Sequence, residues 1–188
     1  MASIVVSGDT SGSVTLQAPA VAGTTVVTLP STSMNLGTGG GSVATNTAFG
    51  TSALNANTSG SYNAASGYLA LAANTSGGEN TAVGAQSLRN NTTGSYNSGC
   101  GVNTLFTNTT GTNNVAVGEN ALYSNTSGSY NVASGYDSLR NNTTASYNTA
   151  VGYQAGYSNT TGAAQTLVGY LAGYNLTTSD SKIGRAHV

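Results

Sequence analysis

Eight blocks of 17 residues, in unbroken phase, limit the fold of this chain more than any other feature. They begin at Asn46, Asn63, Asn80, Asn97, Asn114, Asn131, Asn148 and Gln165, with no insertion or deletion between them. Read as columns, the unit is N-T-A-V-G-x-x-A-L-x-x-N-T-T-G-S-Y. A strict period near 20 residues means that each block is one supersecondary unit. Such a unit cannot bury its apolar face alone and must stack on its neighbours.

Four columns carry most of the pattern. The fifth position is glycine in every block: Gly50, Gly67, Gly84, Gly101, Gly118, Gly135, Gly152 and Gly169. It predicts either a bend or a place where another backbone passes too close for a Cβ. The twelfth position is asparagine in seven blocks: Asn57, Asn74, Asn91, Asn108, Asn125, Asn142 and Asn159. In stacked coils these amides would form a ladder, each donating to the carbonyl of the next coil. The ninth position holds Leu54, Leu71, Leu88, Leu105, Leu122 and Leu139, and the fourth holds Phe49, Val83, Cys100, Val117, Val151 and Val168. Both columns are core candidates, although Ser66 and Ser134 interrupt the fourth. Cys100 then reads as a small buried hydrophobe.

A helix fails to fit, because glycine and turn clusters break every 3.6-residue stripe. Two short extended segments per block fit better, one around T-A-V-G and one around x-A-L-x, with N-T-T-G-S-Y as the turn. The fold class expected is all-β: a parallel β-solenoid or β-roll with 17-residue coils. The apolar inventory of one coil is thin, so three chains sharing an axial core, a homotrimer, is the expected assembly.

The chain divides into four parts. Residues 1–35 read as a small N-terminal β module or cap, with "SIVVSG", "SVTLQAP" and "TTVVTLP" as three short strands. Residues 36–45 are a glycine-rich linker and residues 46–181 are the eight repeats. Residues 182–188, "KIGRAHV", resemble the in-frame translation of a sequencing adapter. They are expected to be a non-native tail, which removes His187 from consideration.

Charged residues are only 5% of the chain and the net charge is −1. No basic surface exists for nucleic acid, and no polybasic patch for a membrane. No apolar run approaches the roughly 18 residues of a membrane span, and no secretion signal is visible at the start. The five acids, Asp9, Glu79, Glu119, Asp137 and Asp180, fall at different block positions. Glu119 and Asp137 would be neighbours on adjacent coils, but read best as solvated side chains rather than a hydrolytic pair. No catalytic, cofactor-binding or metal-binding set is expected. The tenth-position column of Arg89, Phe106, Tyr123, Arg140, Tyr157 and Tyr174 is a candidate glycan-contact face. The seventeenth-position tyrosines Tyr62, Tyr96, Tyr130 and Tyr147 are expected to clamp the turn against the next coil. Each twelfth-position asparagine sits in an N-x-S/T sequon, explained without sugar by the turn and the ladder.

The unit "NTAVGYQAGYSNTTG" (residues 148–162) resembles the repeats of phage-type tail-fibre proteins, many of which end in an endosialidase-type intramolecular chaperone domain. The resemblance spans residues 46–181. The stretch at residues 8–30 is similar to the opening of structural proteins from aquatic phages. A more distant likeness is to the heads of trimeric autotransporter adhesins, whose period is shorter. The resemblance implies a homotrimeric, non-enzymatic fibre on a virion, touching other tail proteins and host surface glycans. The alternative is an adhesin on a bacterial cell surface.

Overall fold

The computed structural model describes residues 15–16, 27–28, 43 and 45–185. The chain forms two compact units, Met1–Met34 and Asn35–Val188. In the first, Thr15–Leu16 (β1) and Val27–Thr28 (β2) pair antiparallel, Thr15 opposite Thr28. They fall within the second and third segments expected to be strands. The first of those segments, and residues 36–42 and 44 of the linker expected at 36–45, lie outside the described residues.

The second unit is an all-β parallel solenoid. Each block places its second to fourth residues in a three-residue strand, from Thr47–Phe49 (β3) through Thr166–Val168 (β10). Ile183–Arg185 (β11) adds a ninth strand. The nine strands form one parallel sheet in strict sequence order. Each residue pairs with the one 17 positions on, as Ala116 does with Ala133. Eight steps of about 4.8 Å make a stack roughly 38 Å long. The strand at Ile183–Arg185 continues the same register past Ser181, where the repeats were expected to end.

The second extended segment expected around x-A-L-x is turn instead. The seventh-position residues have φ of 51–59°, and the ninth-position leucines have φ of 47–54°. Left-handed backbone is disfavoured for leucine by roughly 1–2 kcal/mol per residue. Hydrogen bonds to both neighbours hold it there. Leu105 N donates to Ala121 O of the next coil (3.0 Å), while Asn103 N donates to Ala85 O of the preceding one (3.0 Å). Reverse turns close within the coil, such as Asn125 N to Leu122 O (3.1 Å). The glycine column meets both expectations for it. Its φ values are 112–143°, and a Cβ on Gly84 would sit 2.4 Å from Gly101 O.

The core is narrower than the sequence reading implied. The leucine column is fully buried, as expected. Its partner, however, is the third position: Ala48, Ala65, Ala82, Ala116, Ala133 and Ala150 are buried, whereas Val83, Val117 and Val168 are exposed. Strand side chains alternate, so alanine inward forces the fourth position outward. Cys100 is likewise exposed. A gap sized for alanine against leucine explains two departures in the repeat. Gly99 replaces alanine where Ser87 and Thr104 place hydroxyls 2.7 Å apart in the core; a Cβ there would meet Ser87 Oγ at 2.5 Å. Gly156 and Gly173 replace leucine where Leu167 fills the space instead; a Cβ on Gly173 would meet Leu167 Cδ2 at 2.7 Å.

Candidate functional site

Two buried asparagine columns tie coil to coil. In the twelfth-position column each Nδ2 donates to the Oδ1 of the coil before it. Asn74 to Asn57 and Asn91 to Asn74 both measure 2.8 Å, Asn108 to Asn91 is 2.7 Å, and the run continues to Asn159. The direction is the reverse of that expected. The second proton of each Nδ2 goes to a carbonyl three residues on, as Asn108 does to Gly111 O (3.0 Å), and this orients the amide backwards along the stack. In the first-position column Nδ2 crosses its own coil: Asn97 reaches Gly111 O at 2.8 Å. Its Oδ1 accepts the backbone N–H of Asn114 in the next coil (3.0 Å). Gly111 O thus receives two amides, and a Cβ on Gly111 would strike Asn108 Oδ1 at 2.4 Å. Thirteenth-position threonines add a hydroxyl rung, such as Thr92 Oγ1 to Thr109 O (2.9 Å).

This arrangement closes the sequons. The nitrogen that a glycosyl transfer would use is buried and has both protons committed in all the inner coils. In the last block Gln165 replaces asparagine. Its Oε1 is a buried acceptor with no partner.

The outer columns form the surface. At the tenth position, the six candidate glycan-contact residues come together as one continuous stack. The Arg89 guanidinium lies over the Phe106 ring (5.5 Å), and Phe106 stacks on Tyr123 (5.0 Å). Arg140 sits between Tyr123 (5.3 Å) and Tyr157 (5.8 Å), and Tyr157 stacks on Tyr174 (5.1 Å). Inside this stack the flat faces are turned to one another, so a ligand alongside would meet ring edges, hydroxyls and guanidinium nitrogens. Cation–π contacts of this kind contribute about 0.5–1 kcal/mol each at exposed sites.

Asp137 supports the middle of that stack, a role the sequence reading missed. Its carboxylate is largely buried and accepts from Arg140 Nε (3.3 Å), Asn120 Nδ2 (3.1 Å) and Gln154 Nε2 (3.2 Å). Asn103 Nδ2 donates in turn to Asn120 Oδ1 (3.2 Å). The seventh-position column is therefore a further polar ladder, converging on a carboxylate from both sides. Its contents, Asn103, Asn120, Asp137 and Gln154, were the available signal. Glu119, expected as a neighbour of Asp137, meets it through the backbone, Asp137 N to Glu119 O (3.0 Å), and its own side chain is exposed. Asp137 acts above all, with Glu119 and partial desolvation adding to it, to raise the pKa of the neighbouring Tyr136 phenol above its ordinary 10.0, against a lowering effect of Arg140.

The outward face of the sheet mixes exposed valines with threonine and serine. Its second and fourth positions carry Val83, Val115, Val117, Val132, Val151 and Val168, each 37–52% exposed. Beside them the sixth-position rings Tyr136, Tyr153 and Tyr170 stack at 5.5 and 5.4 Å. On the other flank the seventeenth-position tyrosines do not clamp the turn. They have left-handed φ and are 52–66% exposed, with Tyr130 and Tyr147 stacked at 5.2 Å.

Fold and columns together define the class: a parallel β-solenoid of about 17-residue coils, held by asparagine ladders and presenting exposed valines and aromatic stripes. Compared with protein-family models, curated proteins and solved structures, the chain matches none of them.

Proposed function

We propose that this chain is a non-enzymatic shaft segment of a fibre on a phage-like particle, serving host attachment as a rigid spacer. The observation that supports this reading is the unbroken ladder. From Asn57 to Asn159 every coil repeats the same buried bonds, so that length and stiffness are what the sequence specifies coil after coil. A homotrimer would cover the exposed valines of the sheet, a cluster of apolar side chains at Val115, Val117 and Val132 being the part of this face best suited to an interface. Other fibre proteins would meet the ends of the stack, and host glycans the Arg89 to Tyr174 column.

Gold labelling tests the proposal. An antibody raised against residues 46–181 is applied to particles and to cells from a culture expressing the gene. Label along fibres of the particles supports a virion shaft. Label confined to the cell envelope selects the bacterial adhesin in its place. Label on neither removes both readings.

A further inference from the structure

The chain has 11 tyrosines, and the 17-residue period sorts them into two kinds. Some share a column with a tyrosine in the next coil, and their rings stack. Tyr130 and Tyr147 lie parallel within 3° with centroids 5.2 Å apart, and Tyr136, Tyr153 and Tyr170 follow one another at 5.5 and 5.4 Å. Others have no ring in the neighbouring rung. Glu79 stands between Tyr62 and Tyr96, and Asn113 between Tyr96 and Tyr130. Tyrosines on either side of such a rung are two coil rises apart, about 10 Å.

The Tyr130 and Tyr147 pair combines contact with access. Backbone bonds from Tyr130 N to Thr112 O (3.0 Å) and from Tyr147 N to Ser129 O (3.1 Å) fix each residue to the coil before it. Their side chains nevertheless stand out from the surface, 52% and 64% exposed. Tyr157 and Tyr174 stack as closely, at 5.1 Å, but both are partly buried, and the Tyr157 hydroxyl accepts from Arg140 Nη1 (3.4 Å).

We propose that Tyr130 and Tyr147 form a modification site, a pair set for oxidative coupling to dityrosine that ties one coil covalently to the next. The oxidant is of the haem peroxidase class, with hydrogen peroxide as electron acceptor. Each phenol gives up one electron and its hydroxyl proton. The two phenoxyl radicals then form a carbon–carbon bond between ring positions next to the hydroxyls. The hydrogens on those two carbons move to the oxygens as protons, which restores both hydroxyls. The peroxide takes up two electrons and two protons and leaves as two waters. Parallel rings present the coupling carbons to one another, and exposed side chains keep the rotamer freedom that closes the remaining distance. The bond closes a loop of about 17 residues and should favour the folded form of these coils roughly 100-fold. The run from Tyr136 to Tyr170 offers the same geometry a second time.

The test treats the full chain, at high dilution, with a haem peroxidase and hydrogen peroxide. Single chains are recovered from a denaturing gel, digested and sequenced by mass spectrometry. The expected product joins the fragments carrying Tyr130 and Tyr147, with the loss of two hydrogens, and none joins Tyr62 to Tyr96. Tyr130→Phe should abolish that product and leave coupling within the Tyr136 to Tyr170 run. Asn113→Tyr should add a product that joins the introduced ring to Tyr96 or Tyr130. Its circular dichroism should be unchanged, because tyrosine with left-handed φ is native to this column. Three results would overturn the site. One is no Tyr130–Tyr147 product in a mixture that couples free tyrosine. The second is coupling of Tyr62 to Tyr96 in equal yield. The third is dityrosine found only in slower bands that join separate chains.

Discussion

The first six coils and the last two solve the same packing problem with different residues. Coils from Asn46 to Tyr147 set alanine or glycine at the third position against leucine at the ninth. In the coil beginning at Gln165 the leucine moves to the third position, as Leu167, and the ninth becomes Gly173. The coil between them has Ala150 and Gly156, and Leu139 and Leu167 from either side reach the place a Cβ on Gly156 would take. The volume enclosed is what the stack preserves, and the residue supplying it is free to change. The first-position column is less forgiving. Replacing asparagine by the longer Gln165 keeps the donor but strands the acceptor Oε1.

The largest break should come from removing a rung in the middle of the ladder. Asn108→Ala deletes the donor to Asn91 Oδ1 and the acceptor for Asn125 Nδ2, leaving two buried groups unpaired. At about 1–3 kcal/mol for each, the loss in urea unfolding should be about 4 kcal/mol. Next is the exchange of core volume. Leu167→Ala alone should cost about 3 kcal/mol, and Gly173→Leu alone should overpack the same site. The double variant rebuilds the pattern of the early coils, so its cost should fall below the sum of the two by more than about 1 kcal/mol. Strict additivity in that cycle would show that the two coil types do not share one core. Gln165→Asn should then stabilise by about 1 kcal/mol by giving the column back its short amide.

The outer face should respond differently. Val117→Ser is expected to change unfolding by no more than about 0.5 kcal/mol, since the side chain is already exposed. Its effect should appear in solution mass by light scattering: loss of a trimer would mark the face as the shared one, and a wild-type monomer would remove the trimer altogether. Smallest of all is a pH effect. Because the folded state holds the Tyr136 proton more tightly than the unfolded chain, the associated stability is present below the ordinary value of 10.0 and is lost as pH rises through the raised value. Asp137→Asn should shrink this alkaline decline in a thermal melt series, since Asp137 is its largest cause.

Much of the solenoid was legible because stacking makes every coil obey the same geometry. Glycine at the fifth position and leucine at the ninth recur for steric and volume reasons that hold in each coil, so the column itself is the message. The orientation of the short strand was less legible. Apolar valine at the fourth position reads as core, and the smaller alanine at the third gives no signal of equal strength against it. The serines Ser66 and Ser134 already pointed the other way. Glycine at positions 156 and 173 likewise hinted that the leucine column has left-handed backbone, which no propensity for leucine would suggest. Of the surface residues, the tenth-position column could be read from its period; the Asp137 network was harder to read, because its column of Asn103, Asn120, Asp137 and Gln154 repeats no single residue throughout.

By itself the sequence determined the period, the all-β parallel stacking, the identity of the asparagine ladder and the leucine core, since each follows from repetition at a fixed rise. Only the tertiary structure decided which face of the strand is inside, which way the amides point, and that ring faces in the Arg89 to Tyr174 column are spent on one another. Those depend on where neighbouring coils place their backbone: a gap wide enough for alanine but not valine, and a carbonyl at Gly111 that takes two amide protons and turns the ladder backwards.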